Sequence, residues 1–348
     1  PEDGGVYNKC TNAAFDKMIM PALATQPRYV VQKGTAATLD FAAVMAQGAR
    51  IFKKFNKQLP GLADSCMAAS VKAWKWALIN PDLEYNQTAI NKVYEPKITT
   101  GAYGDKIFTD EWFWAAAELF ATTNKAEYYN ILSKQSNNAL TVPSWSNVQM
   151  LGYYALLHAD VLPFTSSKST VKILKSRLIG FADNLIAHVN NSAFATIMGQ
   201  SKSDFIWGSN AVAANQGVIL VNAYLLTNNK KYIDNALTNL NYLLGLNATG
   251  YCFVTGATNK SPMHPHHRPS IADGIADPIP GLLVGGPNPG MQDGMKYPFS
   301  EPEVAYIDMD AAYACNEIAI NWNAPLVYLA NAAEALQARA GYSVNKEK

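Results

Sequence analysis

Charge is scarce in this chain, and no segment concentrates charge of one sign. Only 16% of the 348 residues are Asp, Glu, Lys or Arg, and the formal net charge is +1. This balance gives no electrostatic footprint for nucleic acid or for an anionic membrane surface. Long apolar runs are also missing, since residues 217–221 are followed at once by an asparagine and are too few to span a bilayer. The composition therefore favours a globular protein that acts on a neutral partner.

Cysteine is rare as well. The chain has 4 cysteines, Cys10, Cys66, Cys252 and Cys315, and they are far apart in the sequence. No short paired spacing indicates a zinc site or a redox motif, so we expect buried free thiols and no disulfide scaffold.

Helical periodicity dominates what remains, and strand signals are few. Apolar residues recur at spacings of three and four in nine segments, most of them followed by Asn, Gly or Pro. These segments are 38–55, 62–78, 110–121, 126–139, 146–157, 169–189, 209–226, 230–244 and 324–338. The pattern predicts an all-α protein with long functional loops.

One segment breaks this pattern. Residues 262–302 hold nine of the chain's 18 prolines, which argues against helix there. A long irregular segment inside a compact protein is usually functional. Because nothing in the chain reads as a linker, we predict one domain over residues 1–348.

A lone glutamate stands within an apolar and amide-rich stretch near the C-terminus. In the pattern Tyr306-x-Asp308-x4-Tyr313-x3-Glu317, it follows an aspartate by nine residues and is placed at the start of a predicted helix. Apolar surroundings raise a carboxyl pKa, so Glu317 is a candidate general acid. The alternative is a helix-start carboxylate that interacts with the helix dipole.

Three of the 5 histidines fall in the proline-rich segment, at His264, His266 and His267, directly before Arg268. A rigid loop of this kind can present planar donors to sugar hydroxyls. A metal site is the alternative, but no cysteine or carboxylate stands nearby at the spacing typical of zinc ligands.

Both segments resemble the two active-site signatures of glycoside hydrolase family 9, whose members are mostly cellulases. The first continues through Ala319 to Asn323-Ala324, and the second leads from Val254-Thr255-Gly256 to Pro265-His266-His267-Arg268. The resemblance implies an (α/α)6 barrel, incomplete at its N-terminus, and inverting hydrolysis of cellulose or a related β-glucan by an endo-β-1,4-glucanase.

The same resemblance assigns roles to residues. It makes Glu317 the general acid and Asp308 a residue that supports it near the catalytic centre. It also implies that His266, Arg268 and Tyr313 bind the sugar close to the scissile bond.

Exposed aromatic side chains would complete a glycan site, because sugar rings stack on flat aromatic surfaces. Trp207 and Trp145 each stand just before a predicted helix, and Tyr103 lies in a glycine-flanked loop. We expect these three to contact substrate. The tryptophans inside predicted helices are expected to be core residues, namely Trp74, Trp76, Trp112 and Trp114.

Asp110 and Glu111 resemble a carboxylate pair with which some family members hold calcium, and two adjacent carboxylates suit that cation. On sequence alone, a capped helix N-terminus with favourable dipole charge is the better interpretation. We therefore expect that the protein requires no cofactor. A structural calcium ion at Asp110 and Glu111 is the alternative.

An inverting glycosidase needs a catalytic base besides the acid. In the family this base belongs to an Asp-Ala-Gly-Asp motif, which the sequence does not contain. We therefore expect the base in a preceding segment of the same protein, following an export signal that would make the protein secreted, periplasmic or cell-surface. The rival hypothesis is a non-catalytic or inactive glycan-binding helical barrel.

Overall fold

The computed structural model describes residues 1–135, 138–159 and 165–342, and helices supply most of their regular structure. The helices are α1 Thr35–Phe52, α2 Leu62–Ile79, α3 Gln87–Val93, α4 Thr109–Thr123, α5 Ala126–Gln135, α6 Gln149–Leu157, α7 Thr165–Ile186, α8 Ser209–Thr227, α9 Lys230–Leu243, α10 Arg268–Ala272, α11 Tyr313–Asn316 and α12 Ile320–Leu336. Two short antiparallel strands, β1 Cys10–Asn12 and β2 Arg28–Val30, pair with Cys10 opposite Val30.

The all-α prediction is confirmed, and each of the nine predicted segments contains a helix. Part of the predicted segment 126–139 falls on residues 136–137, which lie outside the described residues. The prediction missed α3, a helix of 7 residues that is too short to show periodicity. Its signal is local, since the Asn86 side chain caps it by accepting a hydrogen bond from the Ala89 amide.

The chain divides into two compact units. The first consists of Pro1–Asp16 and Thr25–Arg177. Within it, α1 packs against α2 and α4, and α4 packs against α5 and α6. Three of the four helical tryptophans are buried there as predicted, whereas Trp112 is partly exposed.

The second unit consists of Lys17–Ala24 and Leu178–Lys348. Its central helix is α8, which packs against α9 and α12. Residues on every side of α8 are buried, including the polar Asn210, Gln216 and Asn222, as expected for a helix at the centre of a core. The prediction of a single domain over residues 1–348 stays a prediction.

The proline-rich segment belongs to the second unit and carries more structure than expected. Isolated bridges join Val254 to Leu283 and Val284 to Ile318. The expectation that residues 262–302 form no helix was wrong at α10, which begins at Arg268. Pro269 is tolerated in the first helical turn, where no backbone hydrogen bond is lost.

All four cysteines lie in the described part of the chain and are free thiols. Three are buried as expected, but Cys10 is exposed on β1. No helix among the described residues is long and apolar enough to cross a bilayer.

Candidate active site

Glu317 lies between two helices rather than at the start of one. It follows the last residue of α11 in an extended conformation, with φ of −58° and ψ of 150°, and α12 begins only at Ile320. The expectation of a helix-start carboxylate was therefore wrong, because residues 317–319 form an extended connection. A parallel bridge joins His266 to Glu317, and a hydrogen bond of 2.8 Å from the His266 amide to the Asn316 carbonyl holds the two segments side by side.

The Glu317 carboxyl is partly buried, and loss of hydration raises its pKa. The indole N–H of Trp207 and the electrostatic interactions with His266 and Arg268 oppose this shift without cancelling it. A carboxyl with a raised pKa can stay protonated at higher pH than usual, which is what proton donation to a leaving group requires.

Trp207 makes a direct polar contact with the Glu317 carboxylate. Its Nε1 donates a hydrogen bond of 2.9 Å to Oε2, and its side chain is 37% exposed. Trp207 is followed by Gly208, which is the N-cap residue of α8 and has a φ of +86°. A Cβ at Gly208 would lie 2.8 Å from the Trp322 ring. Only glycine allows both that backbone conformation and that close approach.

Tyr313 links the aromatic and histidine parts of the site. Its ring centroid lies 5.5 Å from that of Trp207 and 5.7 Å from that of His266. The His266 Nδ1 lies 2.6 Å from the Asp310 carbonyl oxygen. Because a carbonyl only accepts, Nδ1 carries the proton, and in the neutral ring Nε2 is left as an acceptor.

Asp308 fastens the histidine loop. Its Oδ2 accepts a hydrogen bond from the Met263 amide at 2.8 Å, and its Oδ1 accepts one from the His264 amide at 2.9 Å. Asp310, by contrast, accepts a hydrogen bond from the amide of the next residue, Ala311. The geometry of Asp308 is that of a residue that positions a loop.

Asn316 is a residue of the site that the sequence analysis missed. It is fully buried, and its Nδ2 donates to the carbonyls of Ile307, Met309 and Ala312. Its Oδ1 accepts a hydrogen bond of 2.9 Å from the Tyr306 hydroxyl. The sequence did contain a signal, namely an asparagine in an apolar stretch directly before Glu317. A buried side-chain amide needs several hydrogen-bond partners, so such a residue is expected to organise the backbone around it.

A second aromatic group lies in the first unit. The Tyr103 and Trp145 rings meet edge to face with centroids 5.5 Å apart, and the side chains are 63% and 51% exposed. Tyr103 has a φ of 51°, an uncommon backbone conformation for a bulky residue that is found more often at functional sites. Trp145 is presented by a tight turn in which the Ser144 and Asn147 backbones bond to each other.

Asp110 and Glu111 lie in the first turn of α4 and are both buried. Asp110 accepts a hydrogen bond of 2.8 Å from the Val148 amide. Burial first, and then the neighbouring Asp110 and Asp40, raise the pKa of Glu111 to about 10. Both carboxylates stand in the first turn, but Phe108 at the N-cap offers no side-chain hydrogen bond. The expected side-chain capping was therefore wrong, whereas the expected interaction with the helix dipole stays a prediction.

Glu111 and the neighbouring Asp40 each have a carboxyl oxygen that could bind a cation. Glu111 Oε2 and Asp40 Oδ1 are buried without a hydrogen-bond partner, and burial also raises the pKa of Asp40, to about 7. Within the described ranges no cluster of three or more His, Cys, Asp or Glu side chains is arranged to hold a metal. A calcium ion here would need carbonyl oxygens to complete its ligands.

Comparison with known proteins identifies the family. The profile of glycosyl hydrolase family 9 matches residues 1–330. A xyloglucan-specific endo-beta-1,4-glucanase from Bacteroides ovatus is 46% identical over 99% of this chain and 58% of its own length. Endoglucanase D from Acetivibrio thermocellus is 32% identical over 93% of this chain and 48% of its own length.

The solved structures agree. A Bacteroides ovatus family 9 protein superposes with a TM-score of 0.91 at 44% identity, covering 97% of this chain and 60% of that one. The helical fold is therefore that of family 9 enzymes, consistent with the expected (α/α)6 barrel. The chain spans less than two thirds of the length of these relatives.

Proposed function

Since this chain belongs to glycosyl hydrolase family 9, we propose that it is the larger part of an endo-β-1,4-glucanase catalytic region with Glu317 as general acid. The observation that carries this proposal is a partly buried carboxyl of raised pKa in contact with an exposed indole ring. Such a group can protonate a glycosidic oxygen while the sugar rests on the aromatic surface.

The substrate proposed is a β-1,4-glucan, with a xyloglucan backbone as the first choice. A relative of 46% identity is named as a xyloglucan-specific endo-beta-1,4-glucanase, and a second relative is named as Endoglucanase D. Trp207, Tyr313, His266 and Arg268 are the residues proposed to bind sugar in the second unit. Tyr103 and Trp145 are proposed to do so in the first.

The mechanism proposed is inversion, in which a base activates water while the acid protonates the leaving group. Both oxygens of Asp308 already accept backbone amides, so this residue is better suited to hold the histidine loop than to activate water. We place the base on a further segment of the same polypeptide, and this agrees with the greater length of the relatives.

Replacing Glu317 with Gln in the complete natural enzyme tests the assignment. Reducing-sugar release from xyloglucan and carboxymethylcellulose should fall by roughly 10²–10⁴-fold, the usual contribution of general acid catalysis. The thermal melt should stay unchanged, since the amide keeps the size of the carboxyl. Hydrolysis at the wild-type rate would contradict the role of Glu317.

A non-catalytic glycan-binding barrel is the rival function. Affinity electrophoresis in gels containing each glucan separates the two, because it measures binding without hydrolysis. Wild-type protein that is retarded in the gel but releases no reducing sugar would favour the rival.

A structural calcium ion at Asp110 and Glu111 is also proposed. The buried, unpartnered Glu111 oxygen fits a hard cation, which would stabilise the ionised carboxylates by its charge. Calcium added after chelator treatment should raise the melting temperature of the wild type and leave that of Asp110→Asn unchanged. A melting temperature that calcium does not move in the wild type would rule out the site.

A further inference from the structure

We propose that Trp207 is a positioning residue for proton transfer, because its indole N–H occupies one oxygen of Glu317 and thereby confines the transferable proton to the other. This inference rests on the proposed function of Glu317 as general acid. It assigns Trp207 a role beyond that of a stacking surface for sugar.

Hydrogen-bond chemistry supplies the first step. The Trp207 Nε1 lies 2.9 Å from Glu317 Oε2, and an indole nitrogen can only donate a hydrogen bond. In a protonated carboxyl the hydroxyl oxygen donates, and the carbonyl oxygen is the stronger acceptor. The bond therefore favours Oε2 as the carbonyl oxygen and places the acidic proton on Oε1.

The surroundings of Trp207 hold the indole in place. Its ring packs on Tyr313, whose hydroxyl donates a hydrogen bond of 3.2 Å to the Gln292 carbonyl. The turn that leads into Trp207 is fixed by buried Asp204, which accepts hydrogen bonds from the Gly199 and Ser201 amides. Because the indole is held in place and bonds Oε2, it limits the rotation of the carboxyl group and so fixes the position of Oε1. Such preorganisation accelerates proton transfer.

The electrostatic consequence has a definite sign. Trp207 donates to the carboxylate, which stabilises the ionised form and lowers the pKa of Glu317, as do the electrostatic interactions with His266 and Arg268. These are the groups that face the carboxyl from the segments around it. A general acid is active only when protonated, so activity falls as the pH rises through its pKa. Removing the indole N–H must raise that pKa and move the alkaline limb of the activity profile to higher pH.

The test is Trp207→Phe in the complete natural enzyme, since phenylalanine keeps a flat surface and removes the N–H. The alkaline limb of kcat/KM should move up by about one pH unit, the size expected for one hydrogen bond to a charged group. At the optimum, kcat on unactivated glucan should fall about tenfold, while KM should change by less than about threefold because stacking is kept.

A substrate with a good leaving group provides the second readout. An aryl β-glucan oligosaccharide with a nitrophenolate leaving group needs little protonation, so the kcat of Trp207→Phe should be nearly that of the wild type. A purely structural defect would reduce the rates on both substrates equally. Trp112→Phe, which changes a partly exposed tryptophan of α4 with no assigned sugar contact, is the matched control and should leave the alkaline limb in place.

An unmoved limb, or equal losses on both substrates, would overturn the proposal. If Trp207→Phe does not fold, nuclear magnetic resonance of the wild type tests the proposal through the assigned indole N–H signal of Trp207. It should shift with pH as Glu317 titrates and lose that shift in Glu317→Gln, and a signal indifferent to pH would count against the contact. An active Glu317→Gln would instead remove the proposed function itself, so the two failures are distinguishable.

Discussion

Asp308 and Asp310 are separated by one residue, but their carboxylates accept hydrogen bonds from different parts of the chain. Asp308 accepts hydrogen bonds from two amides of the histidine loop, 44 and 45 positions away in sequence. Asp310 accepts a hydrogen bond only one residue away, from Ala311. The first carboxylate therefore fixes tertiary structure beside His266, and the second fixes only its own turn.

Asp308→Asn should lower kcat/KM on β-glucan roughly tenfold, because an amide NH2 would face a backbone N–H that needs an acceptor, and a lost charged hydrogen bond costs about 1.5–3 kcal/mol. Asp310→Asn is the matched control and should stay within about twofold of the wild type. The measurement is kcat/KM for both variants, normalised to folded protein by circular dichroism. Equal losses in the two variants would contradict the assignment of Asp308 as the loop anchor.

Part of the site could be predicted at the level of single residues. Glu317 and His266 stand in signatures that the sequence displays, and Trp207 was predicted from its place just before a predicted helix. The hydrogen bond between Trp207 and Glu317 could not be predicted, since it joins positions 110 residues apart. The burial of Asp40 near Glu111 is hidden for the same reason, because periodicity places a side chain on a helix face but does not show what that face meets.

At the scale of elements, the start of α8 is fastened to the loop that supports Glu317. The Asn210 amide donates to the Gly285 carbonyl, and the Gly286 amide donates to the Cys315 carbonyl. Gly286 has a φ of +89°, and a Cβ there would lie 2.4 Å from the Asn210 side chain. Helix α8 and the loop can approach this closely only because residue 286 has no side chain.

Gly286→Ala should destabilise the protein by about 2 kcal/mol or more, since both the backbone conformation and the contact with α8 become strained. Gly180→Ala in α7 is the control, because nothing lies within 4 Å of an added Cβ there. It should stabilise by about 0.5–1 kcal/mol, the usual preference of alanine over glycine in a helix. Urea unfolding of both variants measures the two changes, and a stable Gly286→Ala would show that the contact can relax.

Helix boundaries were predicted well where apolar periodicity is long, as in α2, α8 and α9. The connections were predicted less well. The short helix α11 and the extended residues after it depend on the burial of Asn316 and on the bridge to His266. Neither is encoded in a local repeat, so the predicted helix start at Glu317 was misplaced.

At the scale of the whole molecule, each unit displays an apolar stripe on one helix. In the first unit, Val44 and Ile51 of α1 are exposed and stand seven residues apart on one face. In the second, Ile320, Val327 and Tyr328 of α12 form a similar exposed row, and Ile320 is 91% exposed. Large apolar side chains that are exposed together on one helix face are candidates for contact with another segment or partner.

We expect the complete natural polypeptide to cover these stripes with its further segment. Fluorescence of the dye anilinonaphthalene sulfonate should be markedly weaker per molecule for the complete protein than for these 348 residues. Val327→Ser in the 348-residue chain should reduce its dye signal, whereas Val93→Ser, which changes an exposed valine at the end of α3, should not. Equal dye binding by both lengths would contradict the idea that the stripes are covered.

The bond that sets His266 beside Glu317 is made by main-chain atoms alone, from the His266 amide to the Asn316 carbonyl. Main-chain partners do not depend on which side chains the neighbouring positions carry. Libraries that randomise the exposed Met263 or the partly exposed His267 should therefore keep the acid in register while altering the surface offered to a sugar branch. On the proposed function, side chains of this loop can change the contacts with substrate without moving the general acid, which makes the loop a starting point for directed evolution.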